Sequence, residues 1–161
     1  MKKLFAVVMI LVLVFSTIIA LADDSAELSP HENRYIGVTT ITPSVNFSSY
    51  GQGNHCFFEV NVCARVITND KTVKIDGIDI YSLLIWTDST KTELLYSDTN
   101  ILAWVTSPDG PGIIRNFYLG MLNADSLIDE CYVEMYGAKV HIFGQTNYVS
   151  VADFVGTINT N

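Results

Sequence analysis

Three cysteines, Cys56, Cys63 and Cys131, and three histidines, His31, His55 and His141, are the side chains best suited to chemistry in this chain. Three cysteines allow at most one internal disulfide and leave one thiol over. Cys56 and Cys63 fall on one alternating segment, roughly 23 Å apart at about 3.3 Å per residue, beyond the reach of a disulfide. Cys56 shares the parity of apolar Phe58 and Val60, whereas Cys63 has polar neighbours, so the expected bridge joins Cys56 to Cys131. The alternative is three reduced, largely buried thiols. Cys63 has no basic group set beside it by the sequence, so nothing there activates a thiolate.

The histidines are scattered, and adjacent His55 and Cys56 point to opposite faces of a strand, which defeats joint ligation of zinc. Asn123, Asp125, Asp129 and Glu130 gather oxygen atoms but lack the glycine and strict alternation of a calcium loop. No metal or other cofactor is expected. A G-x-S-x-G elbow and an S-x-x-K motif are both missing, so no catalytic residue is named. Carboxylates are numerous enough to pair by chance. Tyr50, Tyr81, Trp86, Tyr96 and Trp104 lie on or beside strands and loops, where exposed rings stack on ligands such as sugars. The competing reading places those rings in the core. Asn46-Phe47-Ser48 fits an N-glycosylation acceptor, relevant only in a eukaryotic secretory route.

The elements that must position these residues are strands. Residues 56–67 alternate cleanly: Phe58, Val60, Val62, Ala64 and Val66 on one side, Glu59, Asn61, Cys63 and Arg65 on the other. Residues 35–41 are β-branched, and with Pro43 and Phe47 they suggest an edge strand and its neighbour. After a turn at residues 68–71, apolar parity switches at Asp76-Gly77, as a bulge would cause. Residues 81–97 read as a hairpin, 100–106 as a further strand, and 107–112 as the strongest turn signal. A strand is expected over 113–119, then a connection at 122–126 with room for one helical turn. Over residues 132–143 one long strand with Tyr132, Tyr136, Ala138, Val140 and Ile142 inward is preferred, Glu134 being the exception. The alternative is a tight turn at Gly137-Ala138 that buries Val133, Met135, Val140 and Ile142. Gly144 to Asn147 closes the last hairpin onto residues 148–155. Seven to nine short strands predict an all-β fold, a two-sheet antiparallel β-sandwich, immunoglobulin-like in outline.

Lys2 and Lys3 precede an apolar run over residues 4–21, and Ala20-Leu21-Ala22 supplies small residues at a cleavage site. This reads as a signal peptide, residues 1–22, with an uncleaved membrane anchor as the alternative. Residues 23–34 read as a flexible acidic tether, and residues 35–161 as a single sandwich domain. The whole chain has 17 acidic and 9 basic residues and a net charge of −8, without a basic cluster. Nucleic acid is thereby excluded as a partner, and a membrane is expected only through an uncleaved signal segment.

The order of Arg34-Tyr35-Ile36, Val38, Ile41 and Pro43 through Phe47, then Gly53 and Cys56 opening an alternating strand, then the apolar stretch from Ile78 to Trp86, and a terminal strand hairpin over residues 132–155, resembles small exported β-sandwich proteins of Gram-positive anaerobes. The resemblance implies an extracellular sandwich without an assigned activity and supplies no catalytic residue. The expected function is an exported, non-catalytic binding, adhesion or structural module whose partner is a cell-surface glycan or protein. A small secreted hydrolase acting on a polysaccharide or peptide is the alternative.

Overall fold

Strict alternation in the second strand organises the molecule. The computed structural model describes residues 37–70, 72–105 and 112–160; the segments read as signal peptide and tether, His31, and most of the turn after Thr106 lie outside them. Strand β2 (Cys56–Ile67) buries Cys56, Phe58, Val60, Val62, Ala64 and Val66 and turns Glu59 and Arg65 to water. Each slip of one residue would reverse those faces, so the register is strongly specified. β1 (Val38–Tyr50) and β5 (Ile114–Ala124) flank β2 antiparallel, making a three-stranded sheet in the order β1-β2-β5.

The second sheet is built on β3 (Ile75–Trp86), with β4 (Leu94–Trp104) along one edge. Along its other edge lie β6 (Glu130–Tyr136) and β7 (Lys139–Ile142). These two hold one register against β3, with Tyr136 opposite Ser82 and Lys139 opposite Asp79, so they are one strand interrupted at Gly137. Outside them, β9 (Phe154–Asn159) pairs with β6 and β8 (Tyr148–Ser150) with β7. The break is stitched by the Asp153 carboxylate, which accepts the Gly137 N–H at 2.8 Å. The two sheets pack face to face as an all-β sandwich around Val45, Phe58, Val60, Ile78, Ile80, Leu83, Ile85, Val133, Met135 and Val140. Three strands thus face six, two antiparallel sheets closing on one core, as in immunoglobulin-like sandwiches.

Several sequence expectations change here. β1 runs unbroken through buried Pro43 to Tyr50, with a bulge after Phe47, rather than as two strands; its place at the sheet edge is what tolerates a proline. β4 is likewise continuous from Leu94 to Trp104. β5 extends to Ala124, so no helical turn forms at residues 122–126. An extra residue in β5, Leu119, opposes nothing in β2, and this bulge turns Phe117 on one side and Leu122 and Ala124 on the other to the same core.

The long strand over residues 132–143 exists, but its inward set is Cys131, Val133 and Met135 before the break and Ala138, Val140 and Ile142 after it. The parity of the hairpin alternative was therefore right in a strand that does not turn back. Gly137, at φ 61, makes the switch, and a Cβ there would lie 2.9 Å from that of Tyr81. The same line crosses the neighbouring strands: β3 changes faces between Ile80 and Leu83, and β4 carries Asn100 at φ 55. Asparagine is among the few residues that adopt that conformation readily. The earlier switch at Asp76-Gly77 is present as a register shift between β3 and β7.

The expected bridge between Cys56 and Cys131 is not formed: all three cysteines are thiols. Cys56 and Cys131 both point inward, as parity requires, but they enter the core from different strand neighbourhoods, Cys56 between Tyr50 and Ala124 and Cys131 beside Ile158, and are not brought together. Burial, with the charge of Glu130 beside it, pushes the Cys131 thiol up to about 11.

Candidate functional site: the outer face of the larger sheet

Strand pairing sets four residues in one transverse row on the outer face, in the order Trp104, Gly77, His141 and Tyr148, one from each of β4, β3, β7 and β8. Outward parity at His141 follows from inward Val140 and Ile142 on either side. Gly77 leaves a gap in the row, and the Trp104 indole lies over it: a Cβ on Gly77 would come within 2.6 Å of the ring. The Trp104 ring meets His141 edge-on at 5.1 Å and Tyr148 at 6.4 Å, and His141 meets Tyr148 at 4.9 Å. Trp104 nonetheless remains 51% exposed.

Polar groups border this row. His141 Nδ1 and Asp76 Oδ1 share a hydrogen bond of 2.5 Å, which holds the imidazole plane. The next row along the strands contains Leu102, Asp79, Lys139 and Ser150. In it Lys139 Nζ donates to Asp79 Oδ2 at 3.4 Å, a long and partly solvated pair that leaves both groups able to bond elsewhere. An exposed ring framed by donors and acceptors can stack on a ligand and bond its polar rim.

A second cluster lies across the Gly137 line. Glu134, the apparent exception among inward residues, faces outward yet is only 6% exposed. It accepts hydrogen bonds from Lys91 Nζ at 2.7 Å, Tyr136 Oη at 3.0 Å and Trp86 Nε1 at 3.1 Å. Lys91, at φ 58 in the β3–β4 turn, is carried over the sheet to reach it. The Lys91 hydrogen bond above all holds the Glu134 carboxyl below its ordinary range, against the opposing effect of burial. This carboxylate is saturated by its neighbours, so its geometry suits fastening the turn to the sheet.

The five aromatic residues singled out from the sequence do not form one platform. Trp104 belongs to the exposed row, and Trp86 is half-buried as a donor to Glu134. Tyr81 is exposed beside Gly137 at the kink, and Tyr50 is exposed at the end of β1 with its ring 4.8 Å from Phe47. Tyr96 is half-buried, its hydroxyl making long bonds of 3.4 Å to the Leu119 carbonyl and to Asp98, so that it spans β4 and β5. Burial, then Asp98, pushes its hydroxyl up to about 12. Sequence reasoning missed His141 and Tyr148 as partners of Trp104. The signal available was their outward parity on either side of the last hairpin.

Between the end of β4 and the start of β5 runs a groove of about 490 Å³ whose lining includes Trp104, Val105, Ile114, Arg115, Asn116 and Tyr118 and, among the described residues, no carboxylate. Among the described residues no group of three His, Cys, Asp or Glu side chains is placed to hold a metal. Asp125 instead meets His55 at 3.1 Å on the surface.

No family model matches the chain, and no curated protein matches it. Three solved chains do. One, an X-ray structure of a Northeast Structural Genomics Consortium target, is 7% identical, with a TM-score of 0.41 over 76% of this chain and 86% of that one.

Proposed function

We propose that this chain is an exported, non-catalytic binding module that holds a cell-surface glycan or protein on the outer face of its larger sheet. One observation carries the reading: Trp104 is half exposed in a row with His141 and Tyr148, where a ring serving the core alone would be covered. Its setting on pre-ordered strands suits binding, because little conformational freedom is lost when a ligand arrives. Export rests on Lys2, Lys3, the apolar run after them and Ala20-Leu21-Ala22. The resemblance to small exported proteins of Gram-positive anaerobes belongs to the same proposal.

The test has two parts. Mass spectrometry of culture medium should find a chain beginning at Asp23, and the labelled mature chain should stay on the envelope of the producing cells without releasing sugar or peptide fragments. Release of fragments would replace this reading with the secreted hydrolase. Failure to bind the envelope at all would end it.

A further inference from the structure

We infer that the ligand of the Trp104 face is a neutral oligosaccharide, laid across the strands along the row Trp104, His141 and Tyr148; this rests on the binding-module reading above. The row crosses four paired strands, but the Trp104 indole leans over Gly77 so that its centroid lies 6.4 Å from that of Tyr148, a platform for one or two linked sugar rings at about 5 Å each rather than a long track. A pyranose presents an apolar C–H face and a rim of hydroxyls, and the surface presents the matching pair of features. The Trp104 indole, pressed over Gly77, offers a fixed apolar plane, and Tyr148 offers a second one 6.4 Å away and tilted 66° to it.

The hydroxyl rim meets the second row. Asp79 and Ser150 accept, Lys139 and Ser150 donate, and the Asp76 carboxylate behind His141 adds a further acceptor. A protein partner would be expected to meet a ring enclosed by apolar neighbours that exclude water. Here Val105 and Ile114 line the groove beside the indole, but His141, Tyr148 and the second row of Asp79, Lys139 and Ser150 leave the ring open to water, 51% exposed, rather than enclosed. Charge selects among glycans. Asp79 is matched by Lys139 and Asp76 is taken up by His141, so the row offers no unmatched cation to an acidic polymer, and a chain of net charge −8 favours neutral glycans over uronate and sulfated ones.

Titration calorimetry of the mature protein against neutral oligosaccharides of increasing length, from gluco-, manno-, xylo- and chito-series, with polygalacturonate as the acidic control, tests the inference. At least one neutral series should bind with affinity rising from monosaccharide to disaccharide and levelling off beyond it, while polygalacturonate should not bind. Trp104→Ala and, separately, Tyr148→Ala should each weaken binding by more than about tenfold, whereas Tyr50→Ala, on the other sheet, should not. Circular dichroism melts show which variants remain folded, and Tyr148→Ala on the short edge strand serves if Trp104→Ala does not. No binding to any neutral series, or binding indifferent to both substitutions, overturns the inference. Envelope binding that survives Trp104→Ala leaves a binding module standing but removes the glycan from this face.

Discussion

Val60→Ala is the substitution that most directly interrogates the sandwich. Val60 is fully buried in the middle of β2, opposite Val45 in β1 and Gly120 in β5, with its side chain against the other sheet. Losing two methylene equivalents from a fully buried site costs about 1.6 kcal/mol at ~0.8 kcal/mol each. The space left between two paired sheets closes only in part and adds up to about 1 kcal/mol. A loss of about 2 kcal/mol corresponds to a melting temperature lower by roughly 6–10 °C for a domain of this size. Asn61, one residue on, faces outward between Ser44 and Tyr118, and Asn61→Ala should stay within about 0.5 kcal/mol. Urea melts of both variants decide the matter, at an unchanged slope so that midpoints compare directly. Equal losses, or a larger loss for Asn61→Ala, would mean that the faces of β2 are reversed and the packing of the sheets with them.

Gly137→Ala should destabilise by about 1–2 kcal/mol in the same melts, because φ 61 is unfavourable for alanine and the new methyl group meets Tyr81. Thiol mapping in denaturant without reductant should label Cys56, Cys63 and Cys131 alike; in the native protein half-buried Cys63 should react first and Cys131, raised to about 11 by burial, far more slowly. Glu134 has a folded pKa lowered below its unfolded value, so its contribution is present above the ordinary glutamate range near ~4.3 and is lost as pH falls through the lower folded value. Acid melts of Glu134→Gln should therefore show a shallower loss of stability below about pH 4 than the parent, and an unchanged acid limb would show that the Lys91 pair does not couple to folding.

The sequence by itself determined the elements whose periodicity is local. Alternation from Cys56 to Ile67 named both faces of β2, because a pleated strand turns successive side chains to opposite sides whatever lies above it. The bulge at Asp76-Gly77 was legible for the same reason, as a change of parity within a few residues. Parity also placed Cys56 inward, yet it carried no information on where in the core Cys131 would stand relative to it, and the two are not joined. Where the chain changes faces without an obvious break, only the tertiary structure decided. Gly137 turns β6 against β7 while keeping one register, and Leu119 reverses faces within β5 by a bulge that shifts the register by one residue. Both are set by what β3 and β2 offer as partners, a relation between residues far apart in sequence. The candidate site has the same origin. Trp104 was visible as an aromatic residue on a strand, but its row with Gly77, His141 and Tyr148 exists only through the lateral pairing of four strands, which no local pattern encodes. Local alternation tells a side chain which way to point; hydrogen-bonded register, a nonlocal quantity, decides what stands beside it.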